Sequence, residues 1–289
     1  MLGHHLSAID VEFLRALPDG CTVDLDRQFE LERREPGLPS VLWSILWEAS
    51  AARACPAPCV KRVEFTLQGR RFVMALDLAE SPECGYLLRN PTIRLTRQLM
   101  NGGATMLDVG ANAGFHALTA ALFFRRVVAF EPTPATASRL ARSIELSGFA
   151  HVGLERCALS NRDGEATFLI DAAHCGANRL GEAATGGRQP TRVPLRRLDS
   201  MMDSISDVDF IKIDVEGHEC EVLEGARGIV ARDRPTLVVE FNAPQQFDRF
   251  VSLLPSGYRA TTVDLDGAHA ALASGTEAVR ARDVTFLGR

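Results

Sequence analysis

Tyrosine and tryptophan are scarce in this chain, two of each in 289 residues. With tyrosine only at Tyr86 and Tyr258, no catalytic Tyr or Lys pattern is present, which argues against nicotinamide-dependent hydride transfer. Blocks of like charge are also missing. The net charge is −5, and the basic residues are mostly arginine and scattered, so a nucleic-acid footprint is not expected. The densest basic group, "RVPLRRL" at 192–198, reads as a solvated edge strand. The longest apolar stretch near the start, "VLWSILW" at 41–47, falls well short of the ~20 residues needed to cross a bilayer. The opening "MLGHHLSAIDVEF" lacks a basic region and an apolar core, so no export signal is read there. Seven cysteines, an odd and scattered set, point to free thiols in a reducing, cytoplasmic setting. "CPAPC" at 55–59 has no second ligand pair, so no protein metal site is assigned. Internal repeats and low-complexity tracts are absent.

Hydrophobic residues make up 46% of the chain, enough for a full core. Residues 1–100 read as a helical and β-hairpin extension, available for substrate or oligomer contacts. "SVLWSILWEASAARA" (40–54) has helical spacing behind Ser40 as N-cap, and "VEFTLQGRRFVMALD" (63–77) is two alternating runs around Gln68-Gly69. That hairpin is placed over the site or in a dimer interface. A helix follows at about 91–101.

From 101 to 289 strands and helices alternate. Strands are read at 104–110, 126–132, 151–159, within 207–217, and at 235–242, with helices at 114–124, 134–147 and 218–231. The strands are short and rich in Val, Ile, Leu and Phe, as strands covered on both faces are. Such a pattern predicts an α/β doubly wound sheet with ligands at the carboxyl ends of its strands. Strand-like stretches at 164–170 and 191–198 flank a polar segment, read as a loop over the site. The chain closes with strands at about 258–264 and 283–288.

Two stretches carry chemistry. "MLDVGANAGFH" (106–116) runs from a strand into a small-residue turn and a helix. A dinucleotide turn has G-x-G-x-x-G. Counted from Gly110, the second and third glycines are replaced by Asn112 and Phe115, and the pattern is D-x-G-x-N-x-G with Gly114 last. Asn tolerates a left-handed backbone, so Asn112 still makes the turn. The spacing suits a nucleoside with an amino-acid tail better than a pyrophosphate. Glu131, 21 positions after Gly110, ends the next strand where a carboxylate accepts from ribose hydroxyls. The second stretch is "FIKIDVEGHE" (210–219), where Asp214, Glu216 and His218 follow a strand, while Glu240 ends the next one. These serve either chemistry or helix N-capping, with Asp214 as cap and Glu216 as first-turn acid.

Together "MLDVGANAGFHAL", "VVAFEPTP", "CALSNRDGEATF", "VDFIKIDVEGHECEVLEGA" and "PTLVVEFN" resemble the FkbM family of S-adenosylmethionine-dependent methyltransferases, over roughly 104–242. The resemblance implies the class I methyltransferase fold, a Rossmann-like seven-stranded sheet with its last strand antiparallel. It implies O-methylation of a hydroxyl on a sugar, glycan or natural-product acceptor. It further implies that Asp108, Gly110, Asn112, Ala113 and Gly114 wrap the methionine moiety and that Glu131 holds the ribose. Pro132 and Thr133 follow near the adenine; many members have Asn where this chain has Thr133. Ala158, Leu159 and Ser160 line the adenine side. Asp214 sits near the methionine amino group or the methyl, and Glu216, His218 and Glu240 face the acceptor.

An alcohol is a poor nucleophile at neutral pH, so transfer needs a base or a metal. His218 is the base candidate by its ordinary pKa, with Asp214 and Glu240 orienting it or acting directly. The other scheme is Mg²⁺ bridged by Asp214, Glu216 and Glu240. Two further readings stand beside methyl transfer: a NAD-dependent oxidoreductase of the same topology, and a non-catalytic cofactor-binding module.

Overall fold

The computed structural model describes residues 21–36, 60–77, 90–170, 178–181, 189–272, 277–278 and 283–288. The expected helix at 40–54, the "CPAPC" segment and most of the loop between 171 and 188 lie outside the described residues.

The chain begins with β1 (Cys21–Asp24) and α1 (Leu25–Arg34), where the Asp24 side chain accepts from the Arg27 amide. The expected hairpin is β2 (Val60–Leu67) and β3 (Arg70–Asp77), turning through left-handed Gln68 and Gly69. After α2 (Asn90–Leu99) come β4 (Gly103–Val109), α3 (Phe115–Ala120), β5 (Phe124–Phe130), α4 (Pro134–Ser147) and β6 (Val152–Glu155). Then follow β7 (Ala158–Leu159), β8 (Gly164–Ile170), β9 (Arg179–Leu180), β10 (Gln189–Arg196) and β11 (Val208–Ile213). The last elements are α5 (Glu219–Glu224), α6 (Arg227–Asp233), β12 (Thr236–Glu240), α7 (Pro244–Leu253), β13 (Arg259–Val263), β14 (His269–Ala271) and β15 (Asp283–Leu287).

The main sheet has the order β14-β13-β15-β12-β11-β4-β5-β6. Strands β12, β11, β4, β5 and β6 are parallel, and the last strand, β15, enters antiparallel to β12. This is the class I methyltransferase architecture, with β14 as a short eighth strand on the β13 edge. Successive strand residues feed two cores. Leu107, Val109, Ile211, Ile213, Leu237 and Val239 face α5, α6 and α7, while Met106, Val127, Ala129, Phe210 and Val238 face α2, α3 and α4. Burial on both faces is why these strands read as unbroken apolar runs.

The hairpin is not over the cleft described below. Phe65, Phe72 and Met74 pack on Phe115 and Leu118 of α3, and Ser147 and Ser143 of α4 accept from the Val73 and Ala75 amides, both at 2.9 Å.

Two expected elements are divided. The strand at 151–159 is two, because the chain leaves the main sheet after Glu155 and Ala158–Leu159 joins a second sheet, β7-β10-β8-β9. The helix at 218–231 breaks at Gly225, where a Cβ would lie 2.0 Å from the Ser160 carbonyl oxygen. Asp199 accepts from the Gly228 and Ile229 amides and restarts the helix as α6. Among the described residues no helix is long and apolar enough to cross a membrane.

Candidate functional site

The carboxyl ends of β4, β5 and β11, with β7 and β8 alongside, line a partly open cleft with one apolar and one polar wall, the character of a small-molecule site. Phe130, Cys157, Ala158, Leu159, Phe168 and Leu180 form its apolar wall, and Asn112, Glu131, Asn178, Asp214, Glu216 and His218 its polar wall. Gly110, Pro132 and Val215 also line it.

The loop after β4 is built as its sequence requires. Gly110, Asn112 and Gly114 have φ of 76°, 48° and 91°. A Cβ on Gly110 would stand 1.9 Å from the Asp214 carbonyl oxygen, so strand approach as well as the turn demands glycine. The Gly110 and Ala111 amides donate to the Phe130 carbonyl at 3.1 and 3.0 Å. The next amide, of Asn112, donates to Glu131 Oε2 at 2.9 Å, while Glu131 Oε1 accepts from the Thr133 amide at 2.8 Å. Glu131 therefore braces two loops, and its two oxygens retain acceptor capacity toward the cleft. Burial pushes its pKa up against the pull of those amides.

Under the loop lies a group that the sequence reading did not assign. Lys212 stands opposite Asp108 in the β11–β4 register. Its Nζ donates to the Gly110 carbonyl at 2.7 Å and pairs with Asp108 at 3.3 Å and Asp214 at 3.5 Å. Burial disfavours the ammonium, but Asp108 and Asp214 outweigh it and hold the pKa above the ordinary lysine value. A charged residue within "FIKI", a run otherwise buried on both faces, was the available signal.

The loop after β11 carries Asp214, whose side chain is 34% exposed. Glu216 follows at φ 55° and Gly217 at φ 103°. The Asn242 amide donates to Glu216 at 3.3 Å. Asp214 does not cap the helix: α5 starts at Glu219 behind His218, and buried Glu219 accepts from the Gly217 amide at 2.8 Å. His218 Nε2 is 2.9 Å from Ser160 Oγ, and Nδ1 is 3.6 Å from Glu221. Burial lowers its pKa, more than Glu221 raises it. Nε2 is thus hydrogen-bonded to Ser160, while Nδ1 lies near Glu221 without a hydrogen bond to it.

The structure thus gathers Gly110, Asn112, Glu131, Pro132, Ala158, Leu159, Asp214, Glu216 and His218 around one cleft. Other expected residues stand behind it. Asp108 is fully buried on Lys212, and Ala113 packs toward the hairpin core. Gly114 gives α3 room beside Leu140, where a Cβ would come within 2.1 Å of that side chain. Ser160 reaches the cleft through His218, and Glu240 lies on β12 in register with Asp283. Asp214, Glu216 and Glu240 do not form the expected Mg²⁺ cluster: among the described residues no three His, Cys, Asp or Glu side chains are grouped to hold a metal, and the cation beside Asp214 is Lys212. Phe168, Asn178 and Leu180 were missed, because only the second sheet folds β8 and β9 over the cleft.

The cleft fits S-adenosylmethionine. Gly110 lets the loop close on the Asp214 strand end beside the cleft, Glu131 offers acceptors for a ribose, and the apolar wall suits an adenine.

A titration is built into the first turn of α3, after that loop. His116 Nε2 is buried without a hydrogen-bond partner among the described residues, and burial, then the Lys212 charge, bring the pKa to about 3. Below about 6.5 the unfolded chain takes up a proton at this site that the folded chain refuses, so stability falls as pH drops from there toward 3. The slope for one such group is at most ~1.4 kcal/mol per pH unit. Urea unfolding at pH 7 and pH 5.5 is expected to show a larger loss for the parent protein than for His116→Phe. Equal losses would contradict the assignment.

Comparison with known proteins locates the same region. The family model described as methyltransferase FkbM domain matches residues 108–266. The hexuronic acid methyltransferase AglP of Haloferax volcanii is 31% identical over 135 residues, 46% of this chain and 54% of that protein. Methyltransferase 1 of Beauveria bassiana is 26% identical over 147 residues, covering 42% of this chain and 57% of that one. The chain spans about half the length of these curated relatives. A crystal structure of methyltransferase FkbM from Methylobacillus flagellatus is 18% identical, covering 64% of this chain and 43% of that chain with a TM-score of 0.39.

Proposed function

We propose, from the premise that this chain belongs to the methyltransferase FkbM family, that it is an S-adenosylmethionine-dependent O-methyltransferase acting on a hydroxyl of a sugar, glycan or natural-product acceptor. The observation that carries the reading is the braced loop: Gly110 pressed against the Asp214 carbonyl, with Glu131 holding the Asn112 and Thr133 amides beside an open cleft. The sugar class is supported by the relative described as a hexuronic acid methyltransferase. Free buried thiols at Cys157 and Cys220 agree with a reducing, cytoplasmic setting.

S-adenosylmethionine, when bound, supplies a methyl group activated by its sulfonium. Gly110, Asn112, Glu131, Ala158 and Leu159 would hold it, and Asp214 would offer a carboxylate to its cationic amino-acid end. Glu216 lines the cleft and would face the acceptor, where it would accept the hydroxyl proton. Its left-handed backbone is an uncommon state for a residue with a side chain, of the kind retained where a carboxylate must be aimed. Asn242 steadies that carboxylate, and His218 positions the loop through Ser160 and Glu221.

Glu216→Gln is expected to lower kcat about 100-fold or more, the scale of general-base loss, while leaving S-adenosylhomocysteine affinity near that of the parent. His218→Ala is expected to cost less than about 10-fold, since it removes a support and not the base. Methyl transfer from labelled cofactor to a panel of uronic acids and neutral sugars reads both. Parental turnover in Glu216→Gln would sink the assignment of the base, and no transfer to any hydroxyl acceptor would sink the O-methylation reading.

A further inference from the structure

Only two of the chain's 32 basic residues are lysines, Lys61 and Lys212. Lys212 is 5% exposed, in the middle of the parallel sheet. A lysine is rarely buried there unless fixed partners meet its charge. Its partners come from three places: the Asp108 carboxylate on β4, the Gly110 carbonyl in the loop, and the Asp214 carboxylate beyond β11. The ammonium donates a hydrogen bond to the carbonyl and forms ion pairs with the two carboxylates.

We propose that Lys212 is a positioning residue that clamps the cofactor loop to the Asp214 strand end, fixing the Gly110 carbonyl and the Asp214 carboxylate in the arrangement that binds S-adenosylmethionine. The proposal rests on the methyltransferase reading of this cleft.

The physical case has three parts. The Gly110 and Ala111 amides are committed to Phe130 and the Asn112 amide to Glu131, so one side of the loop is tied to β5. On the other side, toward β11, the Asp214 amide donates to the Val109 carbonyl at 3.1 Å, and Lys212 is the side-chain tie to Gly110 itself. Second, the Lys212 ammonium sits among acidic groups, Asp108 and Asp214 at its Nζ, so the clamp, its positive charge already offset beneath the cleft, holds Asp214. Third, the geometry favours lysine over arginine: a compact ammonium sits among three partners around a point, whereas a planar guanidinium presents its donors in one plane. Lys212 is not itself a base, because its neighbours hold its proton.

The test separates a clamp from a plain counter-ion for Asp108. Lys212→Met alone leaves the Asp108 charge buried and unpaired, so the comparison is between Asp108→Asn and Asp108→Asn/Lys212→Met. Relative to the single variant, the double variant is expected to exchange the Gly110, Ala111 and Asn112 amides ~10-fold faster, with the Val128 and Val238 amides unchanged. It is also expected to bind S-adenosylhomocysteine at least ~30-fold more weakly. Matching exchange and matching affinity in the two proteins would overturn the proposal. If the parent protein binds no S-adenosylhomocysteine, the cofactor reading falls, while the exchange comparison still decides the clamp. If the double variant does not fold, ¹⁵N-lysine labelling of the parent decides it. Two side-chain signals are present, and that of Lys212 must shift on saturation with S-adenosylhomocysteine, with Lys61 as the internal reference. An unmoved Lys212 signal overturns the clamp.

Discussion

Gly110→Ala is expected to abolish measurable binding of S-adenosylhomocysteine and to lower stability by roughly 2–4 kcal/mol. Two separate costs fall on this one methyl group. The backbone is left-handed at φ 76°, which disfavours any residue with a Cβ. The Cβ would also stand 1.9 Å from the Asp214 carbonyl oxygen and 3.0 Å from its carbon. That oxygen belongs to backbone and cannot swing aside as a side-chain tip would, so the loop or the end of β11 must move. Either movement disturbs Lys212, which ties Gly110 to Asp214. Gly148→Ala is the control. Its φ is 70° but nothing lies within 4 Å of the added carbon, so only the conformational cost of about 1–2 kcal/mol applies, with cofactor affinity kept. Denaturant unfolding and calorimetry on both variants read the difference. Equal behaviour of the two would remove the close approach from the account.

Glu131→Ala is expected to weaken S-adenosylhomocysteine binding about 100-fold or more, equivalent to ~2.7 kcal/mol. The carboxylate accepts from two amides in different loops, and both lose their partner together. An unmet buried amide costs ~1–3 kcal/mol, so the loops relax before a ligand arrives. The ribose acceptor is lost as well. Glu131→Gln is expected to fall between the parent and the alanine variant, because a carboxamide keeps one acceptor oxygen and turns an N–H toward the other amide. Calorimetric Kd values for the three proteins check the order. An alanine variant that binds like the parent would contradict both roles, the brace between the two loops and the ribose acceptor.

How much of this was legible depends on whether the deciding contact was local. The helix Pro134–Ser147 was read with its true bounds, since its start is a proline in the first turn and its end is Gly148 in a left-handed conformation. The turn at Gly110, Asn112 and Gly114 was legible for the same reason, as local sterics leave few residue types for it. Helix Pro244–Leu253 was passed over although Phe247 and Phe250 mark its buried face and a proline opens it. The break at Gly225 was not legible, because its cause is the Ser160 backbone 65 positions earlier. Lys212 is the clearest case. Asp108 and Asp214 were both picked out, but the cation that joins them appears only once β11 is set in register with β4. His218 shows the converse: its residue type suggests a base, and its contact with Ser160 appears only once β7 is folded beside the loop after β11.

The most direct test of the central claim is calorimetric titration of the purified protein with S-adenosylhomocysteine, with NAD⁺ run alongside. The account predicts micromolar, one-to-one binding of S-adenosylhomocysteine, absent for NAD⁺ and lost in Glu131→Ala. Preference for NAD⁺, or no binding of S-adenosylhomocysteine to the folded parent protein, would contradict the assignment of the Gly110–Glu131 cleft as a methyl-donor site.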